Sequence, residues 1–268
     1  MVLDYIWSLT KAFPTKTHDW FCERIQERFN FNISESYVAY LRAKVLNIVR
    51  KRASCIALKR QTKRVRALRH MFRQLVRNLE LEDIIFIDES HFSYKDLDPK
   101  HAYFQKGQKA EVYAGYVSRK SFSLLAAISI NGLVDYTIKD TEQQGVNTMD
   151  FIQFLEKIAD QFTADTVLFL DNARIHKTPE VIQWARDNDV RIFYSAPYSP
   201  DYNPIELLFA QMKYIVKREK YNNLPLQQVI QQSFGEISEY HYYNYVMHAH
   251  RVWEIDERVL DENGNLQI

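Results

Sequence analysis

The chain has 268 residues, of which 46% are apolar and 14% aromatic, enough to bury the core of one large domain with a smaller appendage. It holds no uninterrupted apolar run of the roughly eighteen residues that a membrane helix needs, and its first residues lack the design of a signal peptide. We therefore expect an intracellular protein without a membrane partner. Cys22 and Cys55 are too few for a disulfide framework and lack zinc-ligand spacing.

The net charge of +1 conceals two oppositely charged parts. Residues 1–79 carry 17 Lys and Arg against 5 Asp and Glu, whereas residues 80–268 carry 18 against 29. No acidic residue lies between Ser36 and Leu79, a stretch that holds thirteen Lys and Arg. Such a run is commonly a solvated surface, but uncompensated positive charge is also typical of a segment that a polyanion neutralises. We expect this part of the chain to contact nucleic acid.

Three short segments of the basic front have apolar residues at helical spacing, and the second and third open on a Thr and a Ser placed as N-caps. These segments are Leu3–Phe13, Thr17–Phe29 and Ser34–Asn47. Three helices with a tight turn before the third follow the helix-turn-helix plan, which predicts a DNA-binding region over residues 1–55 with the third helix in the major groove. A three-helix bundle that touches only protein is the alternative.

Residues 56–79 predict a further helix, a basic linker with an apolar stripe on one side and arginine on the others. It could pack on the body of the protein and lay its charges along phosphates. Two lysines of a later predicted helix could do the same, although ordinary surface lysines are an equally good interpretation there. The residues expected to contact DNA are Tyr37, Tyr40, Arg42, Lys44, Arg50, Lys51, Arg52, Lys59, Arg60, Lys63, Arg64, Lys213 and Lys217.

Residues 80–220 read as an α/β domain. The predicted elements follow the order strand, hairpin, helix, strand, helix, strand, helix, which indicates a mixed sheet with helices on both faces. The hairpin is expected to close through a type I′ turn at Asn131 and Gly132. Residues 221–268 are predicted to pack as a helical tail.

Two buried strands of this domain each end in an aspartate. Ile84–Ile87 runs into Asp88, and Thr166–Leu170 runs into Asp171. Ligands gather beyond the carboxyl ends of parallel strands, so both carboxylates would lie at one rim if the strands are neighbours. Either aspartate alone would more often be a turn former or a helix cap. A third acid, Glu206, opens a predicted helix in the stretch "YSPDYNPIEL".

The residues around Glu206 predict a helix that begins at Pro204 and runs to about Lys220. Asn203 at the N-cap, Pro204 at the first helical position and Glu206 at the third give the spacing of a capping box. The carboxylate of Glu206 could fold back to the backbone or turn to a metal ion. Its distance along the chain from Asp171 favours the metal.

Three blocks, "FIDESHF", "LFLDNARIHKT" and "YSPDYNPIELLFAQMK", resemble the catalytic blocks of the mariner-type superfamily of DDE transposases, including its bacterial insertion-sequence relatives. The resemblance covers roughly residues 80–220 and implies a ribonuclease H-like fold with a mixed five-stranded sheet. It implies that Asp88, Asp171 and Glu206 are the catalytic acids and metal ligands, with Asn172 and His176 as neighbours. Such transposases usually carry two helix-turn-helix units, whereas this front has room for one, as in a truncated or divergent form.

The activity implied is cleavage of DNA at transposon ends and strand transfer into target DNA. The implied cofactor is two Mg²⁺ ions, for which Mn²⁺ can substitute, since carboxylate oxygens suit hard divalent ions. The implied partners are double-stranded DNA, as terminal inverted repeats and target, and a second copy of the chain in a homodimer or higher assembly. The location would be the nucleus in a eukaryote and the cytoplasm in a bacterium.

Two other functions remain open at this point. A DNA-binding regulator derived from a transposase would keep the basic front without cleavage, and a nuclease for RNA–DNA hybrids would use the same fold and metals. Two residues near the acids are equally open. His176 could be a surface histidine that opens a helix, and strand alternation turns Glu89 away from the side of Asp88, which leaves Glu89 outside the metal set.

Overall fold

The computed structural model describes residues 1–50, 58–94, 109, 120–141, 145–218 and 224–255. The chain divides into two compact units, Met1–Ile56 and Ala57–Ile268. Lys51 and Arg52, two of the predicted DNA contacts, lie outside the described residues. Within the described ranges, no helix combines the length and the apolar character that crossing a membrane requires.

The first unit is built from three helices: α1 (Val2–Ala12), α2 (His18–Phe29) and α3 (Glu35–Tyr40). Its small core contains Ile6, Phe21, Ile25 and Val38. The turn between α2 and α3 follows from two local features, because Asn30 ends α2 in the left-handed conformation and the Ser34 hydroxyl caps α3 through the Tyr37 amide. The predicted helical region is therefore present.

Thr17 stands at the N-cap of α2 as predicted, although its side chain makes no capping hydrogen bond. Another detail of the prediction is wrong. The predicted third helix does not run evenly to Asn47, because α3 passes at Leu41–Val45 into a turn of π-helix. A π-turn inserts an extra residue into the helical repeat and so changes which side chains share a face.

The second unit contains a five-stranded sheet in the order β3-β2-β1-β4-β5. The strands β1 and β2 pair antiparallel, as do β2 and β3, whereas β1, β4 and β5 run parallel. The elements of this unit are α4 (Lys63–Val76), β1 (Ile84–Ser93), β2 (Ser121–Ser129), β3 (Gly132–Asp140), α5 (Thr148–Ile158), β4 (Val167–Leu170), α6 (Pro179–Asp187), β5 (Arg191–Tyr194), α7 (Ile205–Ile215), α8 (Leu226–Phe234) and α9 (Glu239–Ile255). The predicted mixed sheet and the order of its elements are confirmed.

Helices cover both faces of the sheet, and the alternation of β1 decides which residue faces which layer. Ile84 and Phe86 belong to the core formed with α4, α7, α8 and α9. Ile85 and Ile87 belong to the opposite core, formed with α5 and α6. Because side chains alternate along a strand, the residues that follow on β1 continue the same division.

The first predicted strand is longer than expected. Asp88 does not end it, because β1 runs on to Ser93. Parallel pairing with β4 stops at Ile87 and Leu170, but antiparallel pairing with β2 continues from Asp88 opposite Ala126 to Ser93 opposite Ser121. Asp88 is therefore a residue within a strand at the point where its parallel neighbour has ended, and it is only 8% exposed.

The helix predicted over residues 56–79 is shorter than expected, since α4 covers Lys63–Val76. A 3₁₀ turn occupies Leu58–Gln61, and α4 begins after Thr62, whose hydroxyl accepts from the Val65 amide. Phe72 and Val76 of α4 are buried in the core of the second unit. This segment is thus part of the larger fold, and removing it would remove core residues.

The hairpin between β2 and β3 does not close through the predicted type I′ turn. That turn needs a positive φ at both central residues, and Asn131 does not adopt one. Gly132 has a φ of 144° and begins β3 directly after the turn. The two strands pair across it, with Ser129 opposite Gly132.

Candidate active site

A cavity of about 360 Å³ lies at the edge of the sheet where β4 ends. The three predicted acids, Asp88, Asp171 and Glu206, all contribute to its lining. The complete lining consists of Asp88, Asp171, Asn172, Ser195, Ala196, Pro197, Tyr198, Ser199, Pro200, Asn203 and Glu206. The structure therefore brings residues from three distant segments of the chain to one cavity.

Asp88 is held by two neutral hydrogen-bond donors. Its Oδ1 accepts from the Glu89 amide at 2.8 Å, and its Oδ2 accepts from the side-chain amide of Asn203 at 2.9 Å. Burial raises the pKa of Asp88 to about 8, and the charges of Asp171, Glu89 and Glu206 act in the same direction. Burial and these neighbouring charges therefore favour the neutral form of this carboxyl group below about pH 8.

Asp171 is held differently, by a histidine. Its Oδ1 accepts from the Ala173 amide at 2.7 Å and lies 2.7 Å from Nδ1 of His176. Burial alone would raise the pKa of Asp171, but these hydrogen bonds, together with the charges of His176 and Lys177, hold it below its usual range. Asp171 is therefore a stable carboxylate, and Oδ2 makes none of these bonds.

His176 is fully buried, so the alternative of a surface histidine is wrong. Its ring packs on Phe151 at 4.4 Å between centroids, and its Nε2 lies 3.1 Å from Oε1 of Glu89. Burial alone would lower the pKa of His176, but hydrogen bonds to Asp171 and Glu89 and the charges of both raise it to about 9. His176 is thus a cation enclosed between two carboxylates.

Glu206 stands near the start of α7, which begins one residue later than predicted. The helix starts at Ile205 after Pro204, and no side chain caps it by the predicted capping box. The Asn203 side chain instead accepts from the Ile205 amide at 3.4 Å while donating to Asp88. The Asn203 amide donates to Pro200, so the carboxylate of Glu206 is not folded back onto it and lines the cavity.

Burial raises the pKa of Glu206; the nearby Lys213 ammonium opposes this shift, and the charge of Asp171 adds to it. The helix α7 was predicted to reach about Lys220, but it ends at Ile215. Lys213 lies within it, half-buried with its ammonium 5.5 Å from the centre of the Phe92 ring, whereas Lys217 is exposed beyond its end.

The chemistry of these side chains fits divalent cations, although they do not form a finished cage. No three His, Cys, Asp or Glu side chains in the described part of the chain are grouped closely enough to hold a metal ion as they stand. However, three carboxylates line a cavity roomy enough for ions, water and a phosphate group. Carboxylate oxygens are the ligands that Mg²⁺ prefers, and a cation would relieve the repulsion that raises the pKa of Asp88.

Asn172 is oriented by two contacts on the rim of the cavity. Its side-chain amide donates to the Ser195 carbonyl, and its carbonyl oxygen accepts from the Lys177 ammonium. The Lys177 ammonium in turn lies 4.6 Å from the centre of the Tyr194 ring. Asn172 is therefore fixed beside Asp171, with a lysine close to the opening.

Two residues of the site escaped the sequence analysis. Asn203 was interpreted only as a helix cap, and its bond to Asp88 spans 115 positions of the chain. Glu89 was placed on the side away from Asp88, which the structure bears out, but its bond to His176 spans 87 positions and was not foreseen. Both residues lie inside the quoted blocks, which is the one signal that could have drawn attention to them.

The loop before α7 is tied to the linker and to the C-terminal helix. Arg60 forms a two-pronged ion pair with Asp201, with N–O distances of 2.8 and 2.6 Å. The Tyr202 hydroxyl accepts from Nε of Arg69 at 3.2 Å, and Trp253 donates to the Tyr202 carbonyl at 3.1 Å. Arg60 was predicted as a DNA contact, but its side chain is 15% exposed and already holds a carboxylate.

The other predicted DNA contacts differ in their exposure. Lys59, Lys63 and Arg64 in the second unit are exposed. In the first unit, Tyr37 and Tyr40 are 53% and 54% exposed and stack with 6.0 Å between ring centres, and Lys44 and Arg50 are exposed. Arg42 is half-buried, with its guanidinium 4.6 Å from the centre of the Phe21 ring.

Tyr198 is a further lining residue with an unusual backbone. Its φ is 57°, in the left-handed region that bulky side chains rarely adopt, and its side chain is 48% exposed. The strained position lies between Pro197 and Ser199 on the wall of the cavity. Strain of this kind, of order 1 to 3 kcal/mol, is typical of ligand-binding sites.

The sequence also matches a known protein family. Residues 83–225 match the family described as DDE superfamily endonuclease. The matched range contains all three acids, His176 and the loop with Tyr198 and Asn203. No curated protein matches the sequence.

Several solved structures with a similar fold are of Mos1 transposase. The Mos1 transposase paired-end complex with the left transposon end matches with a TM-score of 0.74 and 18% identity over 95% of this chain and 77% of that one. A pre-cleavage Mos1 transpososome matches with a TM-score of 0.74 and 17% identity over 99% and 80%. The catalytic domain of Mos1 mariner transposase matches with a TM-score of 0.58 and 16% identity over 81% and 100%. The ribonuclease H-like fold is therefore confirmed.

Proposed function

Because the chain belongs to the DDE superfamily of endonucleases, we propose that it is a mariner-type DNA transposase that cleaves transposon ends and transfers them into target DNA. The observation that carries this proposal is the convergence of Asp88, Asp171 and Glu206 on one cavity. The mariner structures that share its fold include complexes with transposon ends and crystals with Mg or Mn. These structures support the proposal.

The proposed cofactor is a pair of Mg²⁺ ions, which Mn²⁺ can replace. Asp88 would be the shared ligand, Asp171 would bind one ion and Glu206 the other. When bound, the ions would stabilise the negative charge that develops on the attacked phosphate and on the leaving oxygen. The protein itself contributes the orientation of the three carboxylates, through Asn203 at Asp88 and through His176 at Asp171.

The reaction proposed for this site has two steps. Water attacks a phosphodiester at the transposon end, which breaks the bond between phosphorus and the 3′-oxygen and leaves a 3′-hydroxyl and a 5′-phosphate. That 3′-hydroxyl then attacks a phosphodiester of the target, joins to its phosphorus and displaces a 3′-hydroxyl of the target strand. Lys213 beside Glu206 and Lys177 beside Asp171 place positive charge where DNA phosphates would approach. In the first unit, Tyr37, Tyr40, Lys44 and Arg50 are the proposed contacts with the transposon end.

Both ends of a transposon must be joined, so we propose that the active form is a homodimer or a higher assembly on paired terminal repeats. Sedimentation of the purified protein with and without DNA carrying the repeats would measure this. A complex that holds one protein chain for every two ends would contradict it.

The activity is tested with DNA that carries the inverted repeats flanking the gene. With Mg²⁺ or Mn²⁺ the purified protein should nick this DNA at the repeat ends. The variants Asp88→Ala, Asp171→Ala and Glu206→Ala should each reduce nicking below detection, because each removes a proposed ligand. Glu156→Ala, which removes an exposed acid on α5, is the matched control and should cleave normally.

Undiminished nicking by all three acid variants would refute the assignment. Specific binding of the repeats by the wild type, without cleavage in either metal, would favour the DNA-binding regulator instead. Cleavage restricted to RNA–DNA hybrids would favour the third interpretation.

A further inference from the structure

Glu89 lies next to Asp88 in sequence but belongs to the opposite side of the sheet. Side chains alternate along β1, so Asp88 faces the α7 layer and Glu89 faces the α5 layer, where His176 packs on Phe151. The Glu89 side chain is 17% exposed and the His176 side chain is fully buried. The two therefore meet beneath the cavity and not within it, and neither is among the residues that line it.

The contacts form an unbroken chain from Glu89 to the cavity. Oε1 of Glu89 is 3.1 Å from Nε2 of His176, and Nδ1 of His176 is 2.7 Å from Oδ1 of Asp171. Each ring nitrogen of His176 therefore faces a carboxylate oxygen within hydrogen-bond distance. The ring cannot rotate to serve another group without giving up its contacts with both carboxylates.

The same bond determines which oxygen of Asp171 is used. Oδ1 already accepts from the Ala173 amide and from His176. Both bonds fall on one oxygen, so Oδ2 is the one that remains for a ligand in the cavity that Asp171 lines. Loss of the His176 bond would leave only the Ala173 amide to hold the carboxyl group in this orientation.

We propose that Glu89 is a positioning residue, which fixes His176 and through it the carboxylate of Asp171 in the orientation that receives a divalent ion. The inference rests on the proposed function for the metal but concerns a residue outside the lining of the cavity. Groups that hold a metal ligand from behind commonly change metal affinity or activity by about 10 to 100-fold when removed.

The experiment compares two substitutions of similar size on the full chain. Glu89→Gln loses the charge but keeps an oxygen that accepts from Nε2 of His176, whereas Glu89→Leu loses both. Mn²⁺ affinity is measured by isothermal titration calorimetry, and the rate of nicking is measured against Mn²⁺ concentration. Glu156→Ala serves as the control for loss of a remote carboxylate, and thermal unfolding verifies that each variant is folded.

We expect Glu89→Leu to weaken Mn²⁺ binding by about tenfold and Glu89→Gln to remain within a factor of about three of the wild type. If Glu89→Leu does not fold, Glu89→Ala replaces it in the same comparison. Wild-type affinity in the variant without an acceptor would overturn the proposal. Equal weakening by both substitutions would also overturn it, because charge and not the hydrogen bond would then be responsible.

A second measurement reports on His176 without any metal. In protein labelled with ¹⁵N-histidine, the Nε2 signal of His176 should be similar in the wild type and in Glu89→Gln and should shift in Glu89→Leu, which removes the acceptor 3.1 Å away. Spectra that do not respond to Glu89→Leu would refute the contact.

The outcomes separate this inference from the proposed function. If Asp88→Ala and Asp171→Ala bind Mn²⁺ as the wild type does, the metal site itself is wrong. If they lose Mn²⁺ while Glu89→Leu keeps it, the metal site stands and only the role of Glu89 fails.

Discussion

Asp88 and Asp171 occupy matching positions on two neighbouring parallel strands, one residue beyond the last pair, Ile87 and Leu170, yet their surroundings are opposite. Asp88 receives its hydrogen bonds from uncharged amides and has a pKa raised to about 8. Asp171 receives one from a cationic imidazole and has a pKa below its usual range. Equivalent positions in a sheet can therefore shift the pKa of the same side chain in opposite directions.

The difference has a structural origin. After Asp88 the strand continues, so its side chain stays between the sheet and α7, and only amides reach it. After Asp171 the strand has ended, and a short 3₁₀ turn at Arg174–Lys177 brings His176 back onto the carboxylate. One aspartate is thus prepared as an anion by the protein, and the other needs a cation from outside.

The most direct test of the difference between Asp88 and Asp171 is to neutralise each aspartate in metal-free protein. Asp88→Asn should raise the free energy of unfolding by on the order of 2 kcal/mol at about pH 8, because it removes a buried carboxylate whose ionisation is disfavoured. The gain is limited because asparagine has one acceptor oxygen for the two donors, Glu89 and Asn203. Asp171→Asn should lower it by about 1 kcal/mol, an amount reduced by the 42% exposure of that side chain. Urea unfolding in the presence of a chelator measures both.

The change of folding stability with pH tests the direction of the Asp88 effect independently. The folded pKa of Asp88, about 8, lies above its ordinary value of 3.8, so the stability associated with its neutral form is complete below about pH 4 and is lost as the pH rises to about 8. The advantage of Asp88→Asn over the wild type should therefore grow across this range. If both substitutions change stability in the same direction at each pH, the contrast between the two aspartates does not exist.

A smaller effect on stability is expected from the loop that carries Asn203, because this loop holds Asp88 through the Asn203 amide. The loop is itself held by the ion pair between Arg60 and Asp201. In a double-mutant cycle of Arg60→Ala and Asp201→Ala, we expect a coupling energy of about 1 kcal/mol, as for a two-pronged and partly buried ion pair. Arg64→Ala, an exposed change on the same segment, should alter stability by less than about 0.5 kcal/mol. Urea unfolding of the four proteins of the cycle provides the measurement.

Strict additivity of Arg60→Ala and Asp201→Ala would show that the ion pair contributes nothing to the loop. The same result would leave Arg60 available for the DNA contact that the sequence predicted.

The smallest expected effect is on DNA affinity and concerns two lysines on the side of the third acid, Glu206. Lys213→Gln and Lys217→Gln should each lower the slope of log affinity against log salt by roughly 1 for DNA binding, since each would remove one phosphate contact. Lys157→Gln on α5, which packs on the opposite face of the sheet, is the control and should leave the slope unchanged. Fluorescence anisotropy at several salt concentrations measures it, and unchanged slopes for both α7-side lysines would remove them from the interface.

The parts of the site that follow from short segments could be predicted from the sequence. Asp88 and Asp171 are recognisable because each directly follows a buried apolar run, and Glu206 because its turn residues fix the start of a helix. The order of strands and helices followed from hydrophobic periodicity, and the sheet confirms it. These signals are local, so a single sequence contains them.

The parts that depend on tertiary pairing could not be predicted. The length of β1 is decided by β2, which pairs with it up to Ser93, and not by the polar residues that interrupt its apolar run. The partners of Asn203 and Glu89 lie 115 and 87 positions away, and no local pattern distinguishes them from a cap and a surface acid. Arg60 resembled its basic neighbours until the fold supplied Asp201 as a partner.

The left-handed backbone of Tyr198 is a point of conformational strain in the wall of the cavity. Glycine would occupy a φ of 57° without penalty, whereas tyrosine does so at a cost that the contacts around the loop must offset. A ligand that lets the backbone of residue 198 relax would bind more tightly, because the strain energy would be released on binding. The ring of Tyr198 is half-exposed at this strained position of the wall.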